Sequence, residues 1–432
     1  MGRGVGCRRA AAVVGVLLGL VATASAGTAA SGATASLAPH GLPAFYVVPA
    51  GVSSKAPGAL LKYEKTTVAG VHATAYRVMY VSTGIGGKNV AVTGMVFVPR
   101  TAAPASGRDV VTWSHGTNGM ADTCAPSTDY TDEDLTTVPQ ASLNALLARG
   151  WVVTASDYQG EGTPPGLLPY LVGGISGDNT IDIVLAAHQL AAADTSKRYV
   201  VWGHSEGGQT AMFAWDAGET YGARQGFTML GTVAGAPPTQ FALIYSFLET
   251  SPYRFYLFMA TVGYHTAYGN AAVPLSQILT ATGIKMIPRL EGGCFTYLEK
   301  TLDKYTYSQL FRENPTQLAS FAPILTENDP ADFSSVPPVP LLIIQGGADE
   351  QIPVVTTQIL YTHLCGLGAD VERWIYPGLD HYGVIAVSTQ DMISWIALRF
   401  AGAGAGPSPA PVGVAGVQTE SCATPSSGSG AS

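Results

Sequence analysis

Hydrophobic and polar positions alternate along residues 76–82 and again along 90–99, on either side of Gly84-Ile85-Gly86-Gly87-Lys88-Asn89. Alternation with period two turns one face of a strand inward and the other outward, and a glycine-rich interval permits a tight reversal, so a β-hairpin is predicted. Beyond it the pattern changes to short apolar runs, at 110–113, 151–155, 199–202, 230–234, 341–345 and 371–376. Runs of this length suit strands covered on both faces. Apolar residues recurring at three and four predict helices at 143–149, 179–193 and 207–220, each between two strand candidates. Strands alternating with helices predict an α/β chain with a mostly parallel central sheet flanked by helices.

Residues 237–337 break this rhythm between the fourth and fifth apolar runs. The interval is too long for a connection within a compact domain. It carries Phe241, Tyr245, Phe247, Tyr253, Phe255, Tyr256, Phe258, Tyr264 and Tyr268, and so predicts an inserted, mainly helical cap. Most of these aromatics should form the cap's own core, and the cap is a suitable place for an apolar pocket. The sheet-bearing core then comes in two parts, 41–236 and 338–400. Residues 401–432 form a tail in which Ala, Gly, Pro and Ser dominate at 401–411 and 424–432, a composition that cannot bury enough apolar surface to order itself. Cys422 would tie this tail back to the body if it is bridged.

Composition adds a compartment. Arg3, Arg8 and Arg9 precede an apolar run at 10–21, and Ala24-Ser25-Ala26 offers a small-x-small cleavage site, so residues 1–26 are expected to be a signal peptide. Arg8-Arg9 leaves the general and twin-arginine export routes both open. The apolar run is shorter than the roughly 20 residues of a membrane span, and no transmembrane anchor is predicted later in the chain. Past the leader stand four cysteines, Cys124, Cys294, Cys365 and Cys422. An even number in an exported protein favours two disulfides, with three pairings open. A bridge closing the long loop from Cys124 to Cys294 would stabilise by about 4 to 5 kcal/mol on the chain-entropy model. Neither C-x-x-C nor H-E-x-x-H spacing occurs, so no metal and no cofactor are expected. Only 12% of residues are charged and the net charge is −8, which gives no footing for nucleic acid.

The candidate chemistry lies at the ends of the predicted strands. Gly203-His204-Ser205-Glu206-Gly207 is a G-x-S-x-G between a strand and a helix. In a chain with 51 glycines the bare pattern is weak; its flanks carry the weight. A nucleophile on a strained strand-to-helix turn needs glycine two positions to either side, because side chains there would strike neighbouring backbone. Ser205 Oγ would then stand exposed above the sheet, with the Glu206 N–H aimed at a forming oxyanion. A serine hydroxyl needs a base and something to hold that base. Asp349 follows the strand candidate at 341–345 and His381 follows the one at 371–376, in the chain order Ser, Asp, His of this elbow architecture. Glu350 and Asp380 are the competing acids. His204 flanks the nucleophile and should point into the sheet, while His72, His188, His265 and His363 lack a partner segment. The second oxyanion donor is expected from Ser114-His115-Gly116-Thr117-Asn118-Gly119, with Gly116 and Thr117 the candidates. Residues 157–162 follow another strand edge and line the site without an assigned role.

With these residues in view the chain resembles the secretory lipase family, α/β-hydrolases known from yeast lipases of the lipase A type and from actinobacterial homologues. The resemblance spans nearly the whole chain past the leader. It rests on W-S-H-G-T-N-G-M-A-D-T-C-A-P-S from Trp113, S-D-Y-Q-G-E-G-T from Ser156, G-H-S-E-G-G-Q from Gly203, Q-G-G-A-D-E-Q-I-P from Gln345 and Y-P-G-L-D-H from Tyr376. It implies Ser205, Asp349 and His381 as the triad, a helical cap with lid function and disulfides Cys124 to Cys294 and Cys365 to Cys422. It also implies secreted hydrolysis of acylglycerols or simpler carboxylic esters, with transient contact at a lipid–water interface through the cap. Pro164-Pro165 and the extended tail depart from the family pattern and put the mouth of the pocket in question. The competing expectations are peptidase or acyltransferase work by the same triad, and a non-catalytic module binding lipid or cell wall.

Overall fold

The computed structural model describes residues 41–131, 140–164, 166–218, 220–402 and 408–422. The expected leader at 1–26, Pro165 and residues 423–432 lie outside them. Among the described residues ten strands form one sheet. In chain order they are β1 (Leu60–Thr66), β2 (Ala73–Gly84), β3 (Lys88–Pro99), β4 (Arg108–Ser114), β5 (Val152–Ser156), β6 (Thr195–His204), β7 (Thr228–Gly235), β8 (Leu341–Gly346), β9 (Val371–Tyr376) and β10 (Gln418–Cys422). Their spatial order is β1-β2-β3-β5-β4-β6-β7-β8-β9-β10. The six from β5 to β9 in that order run parallel, while β1, β2, β3 and β10 pair antiparallel. The expected hairpin is β2–β3, in register from Ala73 with Pro99 to Gly84 with Lys88.

The parallel strands end within a few residues of the apolar runs that announced them, because a strand covered on both faces must be apolar throughout. Helices α1 (Gln140–Ala148), α2 (Gly173–Gln189) and α3 (Glu206–Gly218) follow β4, β5 and β6. Of these α2 starts six residues before the expected 179 and ends four before 193. Its first turn carries two glycines, which weaken a helix signal, but a Cβ at Gly173 would come within 2.1 Å of the Phe213 ring. The glycine lets α2 lie close against α3, and tertiary packing overrides propensity. Strands β1 and β10 were not foreseen. Leu60–Thr66 is half-buried or exposed throughout and so shows no apolar face, and β10 lies in the polar tail.

Seven helices lie between β7 and β8: α4 (Phe241–Leu248), α5 (Phe255–Ala272), α6 (Leu275–Ile278), α7 (Ala281–Met286), α8 (Phe295–Leu302), α9 (Tyr307–Leu310) and α10 (Ala322–Asn328). They share an apolar core in which Phe241, Tyr245, Phe255, Phe258 and Tyr264 are buried, while Phe247 is exposed. After β8 come α11 (Val354–Gly366) and α12 (Gly383–Phe400). One face of the sheet packs on α2, α3 and α11 through Ile183, Met212 and Leu360, and the other on α1 and α12 through Leu143, Met392 and Trp395.

Two bridges fasten the molecule. Cys124 joins Cys294, with Cα atoms 5.4 Å apart, and Cys365 joins Cys422 at 5.6 Å. The first connects the loop after β4 to the start of α8. The second holds β10 beside β9, where Arg373 Nη1 meets Glu420 Oε2 at 2.8 Å. Within the tail, residues 408–413 are held as well: the Ser408 hydroxyl donates to Glu372 Oε1 at 2.8 Å, and the Val412 N–H to Asp391 Oδ1 at 2.9 Å. Side-chain carboxylates on β9 and α12 thus supply hydrogen bonds that the tail's own composition cannot.

Candidate active site

At the end of β6 the chain turns through Ser205 with φ 59° and enters α3 at Glu206. A left-handed conformation costs any residue with a Cβ, and it persists because the surroundings fix it. The Ser205 N–H donates to the Gly235 carbonyl at 2.9 Å, and the Ser205 carbonyl accepts from the Gly208 N–H at 2.7 Å. The tightness explains the glycine requirement. A Cβ at Gly207 would sit 1.9 Å from the Ser114 carbonyl oxygen.

Asp349 and His381 come from the loops after β8 and β9. The loops are stitched together by Gly347 N–H to the Tyr376 carbonyl, 2.7 Å, and Ala348 N–H to the Leu379 carbonyl, 2.9 Å. That stitching brings His381 Nδ1 to 3.0 and 2.9 Å from the two Asp349 oxygens. Burial pushes the Asp349 carboxyl up, but the His381 bond and charge, with the N–H groups of Ile352 and Gln351, outweigh it and leave the group below the usual carboxylate range. The competing acids serve elsewhere. Glu350 Oε2 accepts from the His381 backbone N–H at 3.2 Å, and Asp380 Oδ1 caps the Gly383 N–H at 2.7 Å.

His381 is fully buried, and its Nε2 has no hydrogen-bond partner among the described residues. Ser205 Oγ therefore does not bond it in this conformation. Unliganded sites are commonly looser than the reacting complex. His204 turns inward as expected, and its ring lies 4.6 Å from that of His381. Burial, with the neighbouring His381 charge, lowers the His204 pKa to about 3, so it packs against the base as a neutral ring.

Ser205 borders an apolar cavity lined by Leu171, Phe241, Ile244, Tyr245, Leu257 and Ala260, among others. Its free volume is small, ≈ 30 Å³, room for about two or three waters.

On the other side of Ser205 lies a buried polar group of which the sequence showed only the positions. His115 Nε2 is 3.3 Å from Glu161 Oε2, and its ring stacks on Tyr158 at 4.2 Å. The Thr117 hydroxyl is 2.7 Å from the Tyr170 hydroxyl. Asp157 accepts from the Thr93 hydroxyl at 2.6 Å and the Ser127 N–H at 2.9 Å. Burial, then the charge of Asp157, holds Glu161 well above the usual range. The segment 157–162 thus turns its carboxyls inward, and these were detectable. In a chain so poor in charge, an acid between glycines at a strand edge, as in Gly160-Glu161-Gly162, is an unusual choice for a surface loop. No cluster suited to a metal occurs among the described residues.

The sequence profile of the secretory lipases matches residues 131–407, well over half of the chain. This chain belongs to the secretory lipase family. A secreted triacylglycerol lipase of Malassezia globosa is 23% identical over 414 residues, covering 89% of this chain and 86% of the relative. A protein of Mycobacterium tuberculosis named a probable inactive lipase is 25% identical over 393 residues, covering 83% and 82%. Among solved structures, Candida antarctica lipase A in its closed state superposes with a TM-score of 0.76 at 20% identity, covering 88% and 91%. That likeness establishes the α/β-hydrolase fold. The family is secretory, two disulfides suit an oxidising exterior, and no described helix is long and apolar enough to cross a membrane.

Proposed function

We propose that this secretory lipase cleaves acylglycerols or simpler carboxylic esters through an acyl-enzyme on Ser205, with His381 as base and Asp349 as its support. Ser205 Oγ attacks the ester carbonyl and passes its proton to His381 Nε2, while Asp349 holds the tautomer and stabilises the imidazolium. The oxyanion is met by the Glu206 N–H at the start of α3 and by a donor from Gly116 or Thr117. Collapse returns the proton to the departing alcohol. Water, deprotonated by His381, then releases the acid and restores the serine. The chemistry asks for no metal or cofactor.

The observation that carries this reading is the imidazole itself, bound on one nitrogen by a buried carboxylate and unpartnered on the other, beside a serine on a strained turn. Family membership alone would not suffice, since one relative bears the name of an inactive lipase. An ester rather than a charged substrate is favoured by the apolar lining of the cavity. Helix α4 turns Phe241, Ile244 and Leu248 toward that cavity and leaves Leu243 and Phe247 exposed, which supports transient contact with a lipid–water interface through the inserted helices. Replacing Ser205 with Ala is expected to abolish p-nitrophenyl butyrate turnover with an unchanged circular dichroism spectrum; retained turnover removes the assignment. Rates on tributyrin, short esters and aminoacyl amides then separate ester from amide work.

A further inference from the structure

Glu350 stands one residue past the proposed acid, and its half-buried carboxylate receives three donors. Oε2 accepts from the His381 backbone N–H at 3.2 Å. Oε1 accepts from the Tyr253 hydroxyl and from Gln351 Nε2, each at 3.2 Å. A carboxylate only accepts, with about four sites on its two oxygens, so three donors converge on it without conflict. His381 is thereby held twice by consecutive residues of the loop after β8: Asp349 takes its ring and Glu350 its main chain. A ring bond alone lets an imidazole swing with its loop about the acid. A bond to the main chain opposes that swing.

Tyr253 belongs to the inserted helices and not to the sheet. It sits on a short turn, Pro252–Arg254, between α4 and α5. The turn is anchored, because the Tyr253 N–H donates to Ser251 Oγ at 3.0 Å, and Arg254 donates to the Tyr305 and Asp303 carbonyls, both at 2.7 Å. A second contact runs from the Tyr256 hydroxyl on α5 to Gln351 Oε1 at 3.1 Å, and these two side chains line the cavity beside Ser205. The cap therefore reaches the main chain of the base through one carboxylate.

We propose that Glu350 is a positioning residue that fastens the His381 main chain to Tyr253 of the cap, so that the cap takes part in aligning the base. The inference rests on the acyl-enzyme reading above. Misplacing a reacting group by about 1 Å costs on the order of 100-fold in rate. Attack on the ester and hydrolysis of the acyl-enzyme both draw on His381. Both steps then slow together, and the loss falls on kcat while KM holds.

The test is kcat and KM on p-nitrophenyl butyrate, with the rate of fluorophosphonate labelling, for wild type, E350A, E350Q, Y253F and E350A/Y253F. Each protein is checked by circular dichroism. E350A is expected to lose about 30- to 100-fold in kcat and in labelling rate, with KM within about threefold of wild type. E350Q keeps an oxygen for the His381 N–H and offers an amide N–H to the Tyr253 oxygen, so it should recover to within about fivefold of wild type. Y253F should lose about 3- to 10-fold in kcat, the worth of one hydrogen bond, and nothing further when added to E350A. Wild-type kcat in E350A or in Y253F overturns the inference. So does a loss carried by KM, an E350Q as impaired as E350A, or a Y253F loss that adds in full to that of E350A. If E350A does not fold, Y253F decides alone. A wild type that neither labels nor turns over ester fails the acyl-enzyme reading itself; an active wild type whose kcat survives E350A fails only the role of Glu350.

Discussion

The two sides of the space around Ser205 are built from opposite materials. Its floor, made by loops at the strand ends of the sheet, buries Asp157, Glu161, Glu206, Asp349, His115 and His381. Its roof, made by α4 and α5, turns Phe241, Ile244, Leu257 and Ala260 toward the same space. A floor of buried polar groups is held in place by hydrogen bonds such as those of Asp349 and Asp157, and a roof of hydrocarbon can yield without breaking any. On the proposed function the difference divides the labour: the floor holds the groups that act on the ester, and the roof takes the chain attached to it.

Removing a floor contact is expected to have the largest effect. D349N leaves the shape intact but frees His381 to take the wrong tautomer, so kcat/KM on a soluble ester should fall by about 10³- to 10⁴-fold. Steady-state kinetics checks this, and a loss under tenfold would mean that the floor does not govern the chemistry. The join between the sides comes next. The C124S/C294S pair should lower stability by up to about 5 kcal/mol and C365S/C422S by up to about 4, because the closed loops span 170 and 57 residues. Denaturant titration measures both, and the reverse order would deny that the longer bridge restrains the unfolded chain more. The smallest effect belongs to the roof. A260W should cost about 10- to 100-fold on octanoate and longer esters while leaving acetate esters within a fewfold, since crowding one apolar wall changes binding by about 1 to 3 kcal/mol. Equal losses across chain lengths would show that the cavity beside Ser205 is not where the acyl chain lies.

The same contrast explains what could be read without coordinates. Apolar runs at 341–345 and 371–376 announced β8 and β9, although Glu372 and Arg373 interrupt the second. Gly203 and Gly207 marked the elbow, because backbone leaves no room for a Cβ there. Asp349 and His381 followed from their place just past strand ends. The pairing of His115 with Glu161, and of Thr117 with Tyr170, was invisible for a physical reason. Each is a contact between loops that only the closed sheet brings together, and a buried acid bears the same letter as an exposed one. The start of α2 was hidden because Gly173 serves its neighbour Phe213 and not its own helix.

The bridge from Cys124 to Cys294 has one more effect. It matters at its Cys294 end, where the Phe295 N–H donates to the Asn118 carbonyl at 2.7 Å. The insertion is therefore riveted beside Thr117, and the panel above the serine can flex only as a shutter fixed along one jamb. On the proposed function, a molecule entering this space displaces α4 and leaves the segment around Thr117 in place.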